Sequence, residues 1–158
     1  MKPILIADAG PLIALGKLGQ LSLLRHLYVR VLLPHAVVGE CLLDPRLPGA
    51  VAVEAALASG LLTRVDDPAG TDDSALPLGR GERATLILAQ GLGADVLLDD
   101  LRARSVARGL GVPVVGTLGV LVAARENGLI AALAPLLEQA RASGYYLANA
   151  LVEAALRR

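Results

Sequence analysis

The sequence predicts an α/β protein: a three-layer α/β/α domain built on a central, mostly parallel sheet of about five strands. Short apolar runs alternate along the chain with stretches of helical pattern, as in parallel βαβ units. The first run, residues 3–7, is apolar throughout, as expected of a strand that helices cover on both faces. No linker, repeat or low-complexity segment divides the 158 residues. We therefore expect one domain over residues 1–158, with residues 130–158 forming a C-terminal helical part.

The early elements are bounded by residues that start or stop regular structure. Asp8 ends the first strand, and Pro11 suits the first turn of a helix because its missing N–H needs no partner there. Pro34 is expected to stop the second strand, since proline cannot donate to a sheet. The predicted strands cover residues 3–7, 29–33, 61–65, 95–98 and 112–115.

Glycines and polar residues bound the helices. Gly60 is a good residue to end a helix, and Gly116 or Thr117 suits the cap of a later one. Ser143 and Gly144 are expected to form a hinge between the last two helices. The predicted helices cover residues 11–17, 20–27, 35–43, 50–59, 79–90, 101–109, 117–127, 130–142 and 145–158.

The composition limits the class of protein. Hydrophobic residues make up 54% of the chain and its mean hydropathy is +0.59, but the longest charge-free run, residues 109–124, contains Pro113 and four glycines and makes a poor membrane span. We expect a cytoplasmic protein without a membrane segment. A net charge of zero gives no general attraction to nucleic acid. Abundant apolar residues favour a subunit contact, so a homodimer is expected.

Four acidic positions are predicted to meet at one edge of the sheet. Asp8 ends the first strand, and the pair Asp99 and Asp100 ends the fourth. The carboxyl ends of neighbouring parallel strands open on the same crevice, where α/β proteins bind ligands. Glu40 lies in the helix after the second strand, and Glu82 lies in the first turn of the helix before the fourth.

Such a cluster predicts a divalent metal site. Several carboxylates at one edge do not all stay ionised without a counter-charge, and an all-oxygen ligand set suits Mg²⁺ or Mn²⁺. A site of this kind favours phosphodiester hydrolysis. By position, Asp8 and Asp100 would bind the metal, with Asp99 as the alternative to Asp100. Glu40 and Glu82 would bind it or orient its waters.

Each of these residues also has a purely structural interpretation. Either aspartate of the pair suits a helix cap, and Glu82 matches the preference for acids in a first turn. Arg83 and Arg104 would hold substrate phosphates beside the metal or solvate helix faces, and the residue pattern favours neither. Thr117 would place a hydroxyl near the crevice or cap its helix.

The order of these motifs resembles the PIN-domain family over almost the whole chain. The similar segments are Ile6-Ala7-Asp8-Ala9-Gly10-Pro11, Pro34-His35-Ala36-Val37-Val38-Gly39-Glu40, Gly81-Glu82-Arg83-Ala84 and Leu97-Leu98-Asp99-Asp100. The late segment Gly116-Thr117-Leu118-Gly119-Val120-Leu121 resembles one prokaryotic branch of that family. The resemblance implies an Mg²⁺- or Mn²⁺-dependent ribonuclease. It also implies a dimer, frequently the toxin of a VapBC-type pair, with RNA as substrate and a small antitoxin protein as partner.

Carried over by position, Asp8, Glu40, Glu82 and Asp100 match the family's four acidic positions. Two departures accompany the match. The family commonly has serine or threonine where this chain has Gly10, and its third acid is often aspartate where this chain has Glu82. The missing hydroxyl removes a hydrogen bond around the metal. The alternative function is therefore a catalytically silent module that holds a protein partner.

Overall fold

The structure is a computed structural model that describes residues 1–157, and it contains one five-stranded sheet with the order β3-β2-β1-β4-β5. Every neighbouring pair of strands is parallel. The three-layer α/β/α architecture predicted from the sequence is confirmed. The strands are β1 Lys2–Ala7, β2 Tyr28–Pro34, β3 Thr63–Val65, β4 Asp95–Leu97 and β5 Val114–Val115.

Within residues 1–157, nine helices flank this sheet. They are α1 Ala9–Lys17, α2 Leu23–Leu27, α3 His35–Cys41, α4 Pro48–Ala58, α5 Arg80–Leu92, α6 Leu101–Gly109, α7 Thr117–Glu126, α8 Ala134–Ala142 and α9 Asn149–Leu156. None of the helices in this described part has the length and apolarity needed to cross a lipid bilayer.

Strand β1 is the centre of the sheet. Leu5 pairs with Val31 of β2 on one side and with Asp95 of β4 on the other. The residues that follow β1 and β4 therefore leave the sheet side by side. This neighbouring arrangement is what the convergence of Asp8 with the Asp99–Asp100 pair required.

The core lies on both faces of the sheet, because successive strand residues point to opposite sides. Leu5 and Ala7 belong to one apolar cluster, while Ile6 between them belongs to the other. Helices α8 and α9 add Leu137 and Val152 to the first cluster. Burial on both faces explains why the first strand has an uninterrupted apolar sequence.

Several element boundaries differ from the prediction for identifiable reasons. Helix α2 begins at Leu23 rather than residue 20, because Gly19 in the left-handed conformation (φ +67°) first ends α1. Strand β2 ends at Pro34 as predicted, although Pro34 is itself the last residue of the strand and pairs with Val65. Helix α8 begins at Ala134 rather than residue 130, since Pro135 fits only a first helical turn.

The final predicted helix also starts late. Residues 145–148 are not helical, and α9 begins at Asn149. Gly144, with φ +89°, ends α8 at the predicted hinge and turns the chain. Arg158, the end of the predicted helix, lies outside the described residues.

An acidic candidate site at one edge of the sheet

Asp8 is the most buried acidic side chain of the candidate site, with 8% of its surface exposed. It directly follows β1, and its N–H donates to the Leu97 carbonyl at 3.1 Å. Its Oδ1 atom is buried without a hydrogen-bond partner in the described part of the chain. A buried carboxylate oxygen without a donor is costly, and it calls for a ligand or a proton.

The charges around Asp8 show which acidic groups converge on it. Burial is the largest influence, and with the charges of Glu82, Glu40 and Asp99 it raises the pKa of Asp8 to about 7, although the Ala9 N–H acts in the opposite direction. A pKa this far above the ordinary value means that the ionised form is poorly solvated and repelled by its neighbours.

Helices α3 and α5 bring the two glutamates to this edge. Burial raises the pKa of Glu40, while the Gly81 N–H lowers it. The Glu40 carboxylate lies so close to Gly81 that a Cβ atom at residue 81 would overlap Glu40 Oε1. A side chain at residue 81 would therefore displace the Glu40 carboxylate from this position.

Glu82 connects the centre of the cluster with Asp100. Burial raises the pKa of Glu82, and the nearby charges of Asp100 and Glu40 raise it further, while the Gly79 N–H and Arg102 lower it. The pKa effects thus link Glu82 both to Asp8 and to Asp100. All four predicted acidic positions lie along one edge of the sheet.

Asp99 is held by three donors. Its Oδ1 accepts the Thr117 N–H at 2.8 Å, and its Oδ2 accepts the Thr117 hydroxyl at 2.6 Å and the hydroxyl of Tyr145. Burial and the charge of Asp99 raise the pKa of Tyr145, so this hydroxyl stays protonated as a donor. The predicted hydroxyl near the crevice, that of Thr117, therefore points at Asp99.

Asp100 has a different environment. Its Oδ2 accepts the Ala103 N–H at 2.9 Å, so Asp100 is the N-cap of α6. This is the structural role that the sequence left open for one member of the pair. Its second oxygen takes no part in the cap.

The arginines named from the sequence occupy two different places. Arg104 donates to the Leu98 carbonyl at 3.0 Å and lies against Gly116. Arg83 lies on α5 beside Glu82, and its Nε atom is buried without a hydrogen-bond partner among residues 1–157. Arg104 thus has an observed structural contact, and Arg83 retains an unused donor.

The acidic side chains of the candidate site offer only oxygen ligands to a divalent ion. Within residues 1–157, no three His, Cys, Asp or Glu side chains are already placed as a group that could hold a metal. The unsatisfied Asp8 Oδ1 and the mutual repulsion of Asp8, Glu40 and Glu82 nevertheless suit a hard cation bound through oxygen.

Tyr145 was missed by sequence reasoning. It lies 46 residues beyond Asp99, after a glycine break, and no spacing rule connects the two. The loop acid Asp67 accepts the Ala36 N–H at 2.9 Å in the first turn of α3, a contact that no sequence pattern indicates either. Both contacts join segments that only the folded chain brings together.

The sequence of this chain is similar to one known protein family. A family model described as a PIN domain matches residues 4–158, which is nearly the whole chain. A comparison with curated proteins gave no match.

Proposed function

The chain belongs to the PIN-domain family, and from this premise we propose that it is a metal-dependent endoribonuclease. PIN domains are in general nucleases and typically use divalent metal ions. The finer proposal is hydrolysis of RNA phosphodiester bonds with Mg²⁺ or Mn²⁺ at the acidic site. The observation that carries it is the buried, unpartnered Oδ1 of Asp8 at the point where the charges of Glu40, Glu82 and Asp99 converge.

The acidic residues would have different roles in binding the ion. Asp8 offers a fixed oxygen because β1 and its hydrogen bond to Leu97 hold its backbone. Glu82 and Asp100 supply further oxygens from the first turn of α5 and the cap of α6. Glu40 lies across Gly81 and would complete the set or orient a bound water. When bound, the ion lowers the pKa of a water and stabilises negative charge on the phosphate.

Asp99 and Asp100 receive different roles in this proposal. The charge of Asp99 is among those that raise the pKa of Asp8, but three hydrogen bonds already occupy the Asp99 oxygens. Asp100 uses only one oxygen for its cap, and its charge raises the pKa of Glu82. We therefore assign the metal to Asp100, and we assign to Asp99 the positioning of α7 and the Tyr145 segment at the site.

A cleavage assay tests the proposal. A labelled RNA is incubated with the protein in Mg²⁺, in Mn²⁺ and in excess chelator, and Asp8→Asn is compared with the wild type. We expect cleavage with either ion, none with chelator, and a loss of more than a hundredfold in Asp8→Asn. Asp73→Asn, in an exposed loop, is the matched control and should cleave at the wild-type rate. Cleavage that persists in chelator or in Asp8→Asn would refute the proposal.

The proposal extends to biological partners. We propose that the protein is the toxin of a toxin–antitoxin pair, neutralised by a small antitoxin protein, and that it forms a homodimer in the cytoplasm. Leu47 and Val51, which are exposed one helical turn apart at the start of α4, support an apolar contact surface. Leu47→Asp should then lower the mass measured by light scattering to that of a monomer. Leu101→Asp, at an exposed leucine of α6, should not.

One observation favours the silent binding module as the second candidate. Gly10 lacks the hydroxyl that the family commonly has there, and apart from its chain neighbours and its own helix backbone no atom of the described residues lies within 4 Å of the position a Cβ would take. The space for that side chain is open. Absence of cleavage together with absence of metal binding would select this alternative.

A further inference from the structure

A cleft of about 600 Å³ lies beside the acidic site, between α5, α6 and the loop that precedes α5. It shares Glu82 and Asp100 with that site and extends it away from Asp8. The remaining lining combines an apolar wall with two guanidinium groups. The lining residues are Leu76, Pro77, Leu78, Gly79, Glu82, Arg83, Asp100 and Arg102.

Arg83 is the group in this cleft that lacks a structural explanation. Arg80, one turn earlier on α5, is fully engaged, since its guanidinium contacts Asp72 at 2.8 Å and Asp67 at 3.2 Å. The Arg83 charge acts on Asp72 only as a minor influence, after the hydrogen bonds and charge of Arg80. Its buried Nε has no hydrogen-bond partner in the part of the chain that the structure describes. A buried guanidinium N–H without an acceptor is costly, so the Arg83 side chain is expected to turn toward an acceptor that a ligand in the cleft supplies.

Two helix N-termini also open on the cleft. Helix α5, of 13 residues, begins directly after Gly79, and helix α6, of 9 residues, begins directly after Asp100. The Gly81 N–H already acts on Glu40 and the Ala103 N–H donates to Asp100, so it is the partial positive charge of these helix ends that favours a further anion. Together with Arg83 and Arg102, they make this side of the site suitable for phosphate.

The charge balance indicates when a phosphate would bind. Two carboxylates and two guanidinium groups line the cleft, so their formal charges cancel. A divalent ion among the acidic residues would offset two of the four negative charges of Asp8, Glu40, Glu82 and Asp100, and a phosphate next to that ion and the two arginines would then be attracted. The apolar wall of Leu76, Pro77 and Leu78 suits the sugar and base of an unpaired nucleotide, because a paired base would remain in its stack.

We propose that this cleft binds the nucleotide adjacent to the scissile bond of a single-stranded RNA, with its phosphate held by Arg83 and Arg102. The inference rests on the proposed ribonuclease function, and it identifies the cleft through which the RNA strand leaves the acidic site. Arg83 contributes a planar guanidinium that matches two phosphate oxygens, and Arg102 supplies a second positive charge at the open rim. In this arrangement Arg104, bound to the Leu98 carbonyl, takes no direct part in phosphate binding.

Binding, measured apart from cleavage, tests the inference. A fluorescent single-stranded RNA of ten nucleotides is titrated in Mn²⁺ at several salt concentrations, and its integrity is checked after each titration. We expect Arg83→Gln and Arg102→Gln each to weaken binding about tenfold, as for a lost hydrogen bond to a charged group. Each should also reduce the slope of log affinity against log salt by about 0.7, the value for one phosphate contact of a single strand.

The matched control is Arg108→Gln, an exposed arginine on α6 that does not line the cleft. It should leave the affinity and the slope unchanged. Affinities of Arg83→Gln and Arg102→Gln that equal those of the control would overturn the inference, even if the protein cleaves RNA. Equal affinity for a duplex of the same length would also overturn it. If Arg83→Gln and Arg102→Gln weaken RNA binding as expected but the wild type cleaves no RNA, the cleft remains an RNA-binding site. The proposed ribonuclease function is then wrong.

Discussion

The hydroxyl of Tyr145 donates a hydrogen bond to the carboxylate of Asp99, which lies 46 residues earlier in the chain. Thr117 donates to the same carboxylate from the first residue of α7. One acidic side chain at the end of the sheet thus fixes both α7 and the segment that leads to α9. The C-terminal part of the chain is thereby connected to the candidate site as well as to the core.

Removing this hydroxyl should loosen the C-terminal segment. We expect Tyr145→Phe to lower the free energy of unfolding by about 1–2 kcal/mol, because it removes a hydrogen bond to a charged acceptor. Amide hydrogen exchange should increase over residues 145–157 first. The adjacent Tyr146→Phe is the control, since 85% of the Tyr146 side chain is exposed. Equal exchange in the two variants would show that the Tyr145 contact does not anchor the segment.

The raised pKa of Asp8 predicts how stability depends on pH. In the unfolded chain Asp8 ionises near pH 3.8, whereas in the folded protein it ionises near pH 7. Between these values the folded state binds one more proton, so the free energy of unfolding should fall as pH rises from about 4 to 7. The contribution of Asp8 is at most about 4 kcal/mol.

Chemical denaturation of the wild type and of Asp8→Asn at pH 4 and pH 8 measures this contribution. The amide does not ionise, so Asp8→Asn should be the more stable protein at pH 8 and should lose most of that advantage at pH 4. Addition of Mn²⁺ at pH 8 should stabilise the wild type and leave the variant unchanged. A stability difference that does not vary with pH would contradict the placement of Asp8.

The two roles given to Asp100 can be separated by substitution. Asparagine caps a helix about as well as aspartate, so Asp100→Asn should keep the wild-type stability to within about 0.5 kcal/mol while cleavage is lost. Asp100→Ala loses the cap as well and should cost about 1 kcal/mol of stability. Thermal unfolding and the RNA assay, applied to both variants, distinguish the roles. Full cleavage by Asp100→Asn would indicate that Asp99, and not Asp100, binds the metal.

Gly81 offers a test of the position of Glu40. In Gly81→Ala the new methyl group would overlap Glu40 Oε1, and the flexible glutamate side chain would have to move. We expect little change in stability and at least a tenfold loss of cleavage. Gly91→Ala in the same helix is the control, because among the described residues nothing lies within 4 Å of its Cβ position. If Gly81→Ala cleaves RNA at the wild-type rate, the position of the Glu40 carboxylate beside residue 81 is not required for cleavage.

The sheet and the convergence of the acidic residues were accessible from the sequence because each depends on local signals. An apolar strand that ends at Asp8 and another that ends at Asp99 and Asp100 fix where the carboxylates leave the sheet, provided that the two strands are neighbours. The parallel pairing of β1 with β4 supplies that condition. Glu82 could be placed in the same way, since Gly79 and Gly81 indicate where its helix begins.

Contacts between distant segments were not accessible. The hydrogen bond from Tyr145 to Asp99 depends on the conformation of the non-helical residues 145–148. The burial of the Arg83 Nε atom depends in the same way on the loop of residues 66–79. No periodic pattern in the sequence predicts the conformation of either segment. Helix starts at residues 23 and 134 were also missed. There, one left-handed glycine and one proline outweighed an apolar pattern that extended further.

We propose that the acidic residues at this edge bind a divalent ion, and calorimetric titration with Mn²⁺ tests this binding most directly. The wild type should bind Mn²⁺, Asp8→Asn should lose that binding, and Asp73→Asn should retain it. Absence of Mn²⁺ binding by the wild type, or equal binding by Asp8→Asn, would contradict the account.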